Sequence, residues 1–227
     1  MDVAGSFPRR VEPPWLPGHD RLLFVGIYAV ARILAPVQNS PERRLNGPAP
    51  HRLPGDPPLA VEIARILRVD HAGEFGATRI YQGQLDVLGR SRAAGAIREM
   101  AEAEKRHLAR FETLLRERRV RPTLLHPLWS VAGYALGAAT ALLGEPAAMA
   151  CTVAVEEVID EHYQRQAERL GDDDAALRAE ILSFRDDEIA HRDVAIAEGA
   201  KKAPVYDLIS VAVKTGSRIA IWLSMRF

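Results

Sequence analysis

One cysteine, Cys151, is all that the 227-residue chain contains, so it can form no internal disulfide and no cysteine-built metal centre. So little cysteine fits a reducing compartment. Net charge is missing too: 30 Lys and Arg are cancelled by 30 Asp and Glu, which leaves no electrostatic footprint for nucleic acid. No run reaches eighteen clean apolar residues, the length that would predict a transmembrane helix. Arg9-Arg10 is not followed by an apolar stretch, and Pro13, Pro14 and Pro17 argue against a signal peptide. Aromatics are scarce at 6%, whereas alanine is abundant, as in tightly packed helices. No strand pattern of any length occurs, so the chain reads as all-α.

What is present is a motif that occurs twice. Glu104-Lys105-Arg106-His107 and Glu188-Ile189-Ala190-His191 each set a carboxylate and an imidazole one helical turn apart on one face. Glu74 precedes the first and Glu156 the second, at nearly equal distances. Two single glutamates and two Glu-x-x-His pairs are the ligand set of a carboxylate-bridged di-metal site in a four-helix bundle. The usual place for Glu is a solvated helix face, but the phase here is different. Glu104 shares its face with Met100, Ala101, Leu108 and Phe111, whereas Glu102 looks toward Arg98, Lys105 and Arg106. Glu188 similarly follows Ile181 and Phe184. Between the neighbours Glu156 and Glu157, the first shares a stripe with Val153, Ile159 and Tyr163, while the second drifts toward Asp160, Glu161 and Gln164. A carboxylate on an apolar stripe needs a cation or a partner. Glu156 is therefore the expected ligand.

In chain order, residues 1–58 read as an N-terminal extension, with one short apolar helix over Arg21–Val37 and a Pro-rich linker over 38–58. That short helix is either a docking element or one lying on a membrane surface. Residues 59–227 form the expected metal-binding domain. Asp56-Pro57 supplies a helix start, and core helices are predicted over about 59–90, 93–119, 144–170 and 175–199, the last after Asp172-Asp173-Asp174 as caps. Between the second and third of these, Leu124–Leu143 is uncharged and predicts either a buried core helix or one that touches lipid. The final segment, 205–227, mixes apolar residues, Trp222 and scattered cations; it is either interfacial or folded back on the bundle.

Four carboxylates and two imidazoles suit a pair of iron or manganese ions with positions left open for oxygen. Bridging falls to Glu104 and Glu188, and Glu74 and Glu156 are terminal. His162 and Tyr163 after Glu156, Asp70 and His71 before Glu74, and Asp187 reaching across the bundle are candidates to surround the ligands. Each of these has a packing or surface role as its alternative.

Five blocks carry a resemblance: Val69-Asp70-His71-Ala72-Gly73-Glu74, Ile80-Tyr81-Gln82-Gly83-Gln84, Glu104-x-x-His107, Ala150 to Glu157, and Phe184 to His191. Over roughly residues 59–227 the chain resembles the demethoxyubiquinone hydroxylase family of ubiquinone biosynthesis. The resemblance implies a ferritin-like four-helix bundle with a di-iron centre and extra apolar or amphipathic helices. It also implies a monooxygenase that hydroxylates the ring of 2-polyprenyl-3-methyl-6-methoxy-1,4-benzoquinol, with O2 as co-substrate and an external reductant that the sequence does not identify. The family's metal ligands map onto Glu74, Glu104, His107, Glu156, Glu188 and His191. Peripheral attachment to the cytoplasmic face of the cell membrane is implied as well. The protein partners it brings into view are a second copy of the chain or a lipid-binding protein. The competing readings are a ferritin- or rubrerythrin-like protein that stores iron or reduces peroxide, and a membrane-bound bundle without metal. One cysteine cannot build the iron domain of a rubrerythrin.

Overall fold

The computed structural model describes residues 55–227. The expected short helix at Arg21–Val37, and the N-terminal extension up to residue 54, lie outside the described residues. Within them the chain is helical throughout: α1 Leu59–Leu88, α2 Ala94–Glu117, α3 His126–Leu142, α4 Glu145–Leu170, α5 Ala175–Ala197 and α6 Tyr206–Ser224, with a 3-10 turn at Ala200–Lys202. The helices α1, α2, α4 and α5 make the ferritin-like four-helix bundle. α1 packs with α2 and α4 with α5 as hairpins, and α3 and α6 are added outside them.

Local chemistry sets the ends. Asp174 caps α5 by accepting the Leu177 amide at 3.1 Å, as the aspartate run predicts. Gly171 ends α4 at φ +49, a backbone conformation that side chains disfavour. The N-cap position falls at Pro58 rather than at the expected Asp56, and α1 starts at Leu59. Proline at the boundary sets the entry angle there, so the helix begins two residues later than the aspartate suggested.

The uncharged segment predicted over Leu124–Leu143 forms α3, but it is not a buried core helix. Only Gly137, Thr140 and Ala141 are buried, while Leu128, Val131 and Leu142 face outward. Its inner side lies close against α1. A Cβ added at Gly133 would stand 2.8 Å from the Gly76 carbonyl oxygen, and one at Gly83 would stand 2.7 Å from the Ala138 amide nitrogen. Helix separation is set by the side chains at the contact, and here glycine on both helices brings the backbones together.

The last segment folds back on the bundle. Ile209 and Val213 of α6 are buried, and its cations are engaged by α4: Lys214 pairs with Glu157, and Arg218 with Glu161 at 3.3 Å. Leu208, Val211, Ile219 and Trp222 remain exposed. Among the described residues no helix is long and apolar enough to cross a membrane.

Candidate metal centre

All six residues singled out by the repeated motif are buried: Glu74, Glu104, His107, Glu156, Glu188 and His191. They converge from four helices, with Glu74 on α1, Glu104 and His107 on α2, Glu156 on α4, and Glu188 and His191 on α5. Two overlapping groups result. In one, atoms of Glu74, Glu104, His107 and Glu188 lie within 4.8 Å of one another; in the other, atoms of Glu104, Glu156, Glu188 and His191 do. Glu104 and Glu188 belong to both.

Both imidazoles turn Nδ1 toward this cluster. His107 Nδ1 lies 3.3 Å from Glu188 Oε1 and 3.6 Å from Glu74 Oε2, and His191 Nδ1 lies 3.0 Å from Glu104 Oε1. Yet Glu74 Oε2, Glu104 Oε1, Glu188 Oε1 and His107 Nδ1 have no hydrogen bond of acceptable geometry. Buried polar atoms are almost always satisfied, and four lone-pair donors aimed at shared space fit divalent cations bound between them. Behind the cluster, His107 Nε2 lies 3.1 Å from Asp187 Oδ2, one of the candidate surrounding residues raised by the sequence. A proton held on Nε2 by that carboxylate leaves the Nδ1 lone pair pointing inward.

Crowding of acids governs the electrostatics. Burial, and then the charge of Glu188, raise the pKa of both Glu104 and Glu156 well above the carboxylate range. Burial also works to raise Glu188, but the imidazoles of His107 and His191 beside it outweigh that and hold it at about 2. For His107, burial pulls the pKa down, and the carboxylates of Glu188 and Glu74 overcome it and lift it to about 10. Four buried carboxylates facing one another draw in positive charge.

The surrounding residues divide. Tyr163 donates its hydroxyl proton to Glu74. His162 turns instead to Asp70 Oδ1 at 3.5 Å and Gln166 Nε2 at 2.8 Å. His71 stacks on His126 of α3, with centroids 4.9 Å apart. By sequence, Tyr81 stood out only as part of the block Ile80–Gln84 and was given no role at the centre. Its hydroxyl donates to Glu156 Oε1 at 2.9 Å. The signal that could have found it is its spacing from Glu74, which repeats that of Tyr163 from Glu156.

Glu157 faces away from the cluster and pairs with Lys214. Glu157→Ala should therefore keep its metal and lose at most about 1 kcal/mol, the value of a half-exposed ion pair, whereas Glu156→Ala should lose one ion. Metal analysis of the two purified variants checks this. The opposite pattern would mean that α4 is rotated by about 100°.

Beside the cluster is a cavity of about 400 Å³ with almost wholly apolar walls, lined by α1, α3, α4 and α6. Gly73 and Val155, the residues just before Glu74 and Glu156, line it together with Ile80, Leu136, Ile159 and Ile221.

Residues 61–224 match the family described as ubiquinone biosynthesis protein COQ7. The chain belongs to this family. Among its COQ7-family relatives, a protein of Rhodospirillum rubrum named 3-demethoxyubiquinol 3-hydroxylase is 52% identical over 220 residues, covering 96% of each chain. A Dictyostelium discoideum protein named NADPH-dependent 3-demethoxyubiquinone 3-hydroxylase, mitochondrial, is 54% identical over 167 residues, covering 72% of this chain and 77% of its own. The human protein of the same name is 49% identical over 168 residues, with the same coverage of each chain.

Proposed function

We propose that this chain is a di-iron monooxygenase that hydroxylates the ring of a demethoxyubiquinol, 2-polyprenyl-3-methyl-6-methoxy-1,4-benzoquinol, in ubiquinone biosynthesis. The observation that carries the reading is the pair of overlapping donor groups sharing Glu104 and Glu188. Family membership and the names of its relatives supply the substrate class.

Glu104 and Glu188 would bridge two ions. Glu74 and His107 would complete one coordination sphere, and Glu156 and His191 the other. Hard carboxylate oxygens with one imidazole per ion suit iron. When bound, iron supplies the activation of dioxygen, one atom entering the ring and the other leaving as water with two electrons and two protons from a reductant. The protein's own part is to place and to protect. Asp187 holds the proton on His107 Nε2, Tyr163 and Tyr81 hold the outer carboxylates, and the buried position of all six ligands keeps bulk water away. The apolar cavity is suited to an isoprenoid-bearing ring, because Gly73 and Val155 in its wall adjoin Glu74 and Glu156. Storage of iron would have no use for such a cavity.

Incubating the iron-loaded protein with a short-chain demethoxyquinol, reductant and 18O2 tests the reading. The product should gain one labelled oxygen. Iron uptake with no labelled product would favour storage.

A quinol with a long tail lies in a bilayer, and the same reading places the chain on the cytoplasmic face of the cell membrane, held by exposed apolar residues of α3 and α6. Leu136 lines the cavity, so it is unsuited as a probe of this contact. Val131 and Val211 are better, at 70% and 64% exposed. Val131→Glu with Val211→Glu should lower binding to anionic liposomes by at least about tenfold, since burying one valine contributes about 1.5 kcal/mol, and should spare iron content. Unchanged flotation with liposomes would remove these faces from the membrane contact.

A further inference from the structure

The two helices that carry the outer carboxylates repeat one pattern. Tyr81 follows Glu74 by the same seven positions as Tyr163 follows Glu156, and Gln84 and Gln166 each come three positions later. Seven residues are about two turns, so each tyrosine shares a face with its own glutamate. α1 and α4 run antiparallel, however, and the pairs cross. Tyr163 of α4 donates to Glu74 of α1, and Tyr81 of α1 donates to Glu156 of α4 at 2.9 Å. The crossing continues outward. Gln166 Nε2 donates to Asp70 Oδ1 at 2.6 Å, and Gln84 Nε2 to Thr152 Oγ1 at 3.5 Å. Asp70 and Thr152 each stand four positions before their glutamate. With the matching Glu104–His107 and Glu188–His191 pairs, the centre has an internal two-fold relation that exchanges one half-site with the other.

We propose that Tyr81 is a positioning residue for the half-site of Glu156 and His191, performing there the task that Tyr163 performs for Glu74 and His107. On the Glu74 side the task is visible. Tyr163 occupies Oε1, and Oε2 is the buried atom left without a hydrogen bond, 3.6 Å from His107 Nδ1. One oxygen is tied down so that the other is presented to the ion. Tyr81 occupies Oε1 of Glu156 in the same way. It is 2% exposed, and the other neighbour of its hydroxyl is Met100 Sδ at 3.8 Å, a weak acceptor. The phenolic proton is therefore committed to Glu156.

The symmetry is broken in one respect that makes Tyr81 the cleaner probe. The residue before Tyr163 is His162, which joins Asp70 and Gln166 in a polar network. The residue before Tyr81 is Ile80, part of the apolar cavity wall. Tyr81→Phe thus removes one hydroxyl and leaves no further polar group of that network unpaired.

The inference rests on the di-iron reading and deepens it, so its test reads metal rather than turnover. Metal-free protein is titrated anaerobically with Fe(II) by calorimetry, with thermal melting followed in parallel. Tyr81→Phe should bind one ion as the parent does and the other about 10- to 100-fold more weakly, the usual cost of losing a partner behind a metal ligand. In a His191→Ala background, where that half-site is already lost, Tyr81→Phe should change nothing. In a His107→Ala background it should weaken the remaining ion by the same factor. Tyr163→Phe should give the mirror pattern. Parent-like affinity for both ions in Tyr81→Phe, or equal weakening in both backgrounds, would overturn the role of Tyr81 alone. A parent protein that takes up no iron would overturn the di-iron reading and this inference with it.

Discussion

On the proposed di-iron reading, Glu104→Ala and Glu188→Ala proteins should each lose both metal ions, whereas Glu74→Ala should lose only one. The difference follows from sharing. Glu104 and Glu188 each belong to both donor groups, and Glu74 belongs to one. Removing a shared carboxylate would leave each ion with three protein ligands, and would take away the negative charge between two cations that keeps their repulsion in check. Hydroxylation should fall by about a thousandfold or more, because the metal's part in such chemistry is worth several kcal/mol and each 1.4 kcal/mol is about tenfold in rate. Helix content should persist, since the buried apolar clusters on either side of the site are untouched. Iron per chain by mass spectrometry and product per turnover check both effects. One tightly held ion in Glu104→Ala would show that the carboxylates are not shared.

Gly137→Ala should be the most destabilising of the methyl-sized changes. A Cβ at this position would collide with the carbonyl oxygen of Ile80. The obstacle is backbone inside a helix, with no flexible end to swing aside, so α3 would have to lift from α1. Overpacking of this kind costs about 1–3 kcal/mol, and for a chain of this size each kcal/mol lowers the melting temperature by about 2–4 °C. Gly137 follows Leu136, which lines the cavity, so the same shift should open the cavity and raise KM for a long-tailed quinol more than it lowers kcat. Gly95→Ala is the control. Nothing within 4 Å would meet its Cβ, and alanine there should stabilise α2 by up to about 1 kcal/mol. A melting temperature at or above that of the parent for Gly137→Ala would contradict the close α1–α3 approach.

The sequence by itself determined the helices and which carboxylates and imidazoles turn inward, because both rest on short-range rules. A turn of helix puts Glu104 beside His107 whatever surrounds them, and the apolar neighbours of Glu104, Glu156 and Glu188 settle which way each carboxylate faces. The distinction between Glu156 and Glu157 was legible for that reason, whereas Asp187, one position before Glu188, was one candidate whose alternative was a surface role until His107 met it.

Tertiary structure decided what depends on how helices meet. Apolar composition at Leu124–Leu143 is the same for a core helix and a surface one. Glycine contacts with α1 made α3 a cover with an exposed outer face. Cations in the last segment suited a lipid surface and a fold back on the bundle alike until α4 supplied Glu157 and Glu161 to Lys214 and Arg218. His162 and Tyr163 are adjacent in sequence, yet about 100° of helical rotation separates them, so one reaches Glu74 and the other Asp70. Tyr81 became a site residue only when α1 and α4 crossed. The hydrogen bond it makes joins residues 75 positions apart, and no local rule relates a side chain to a carboxylate on another helix.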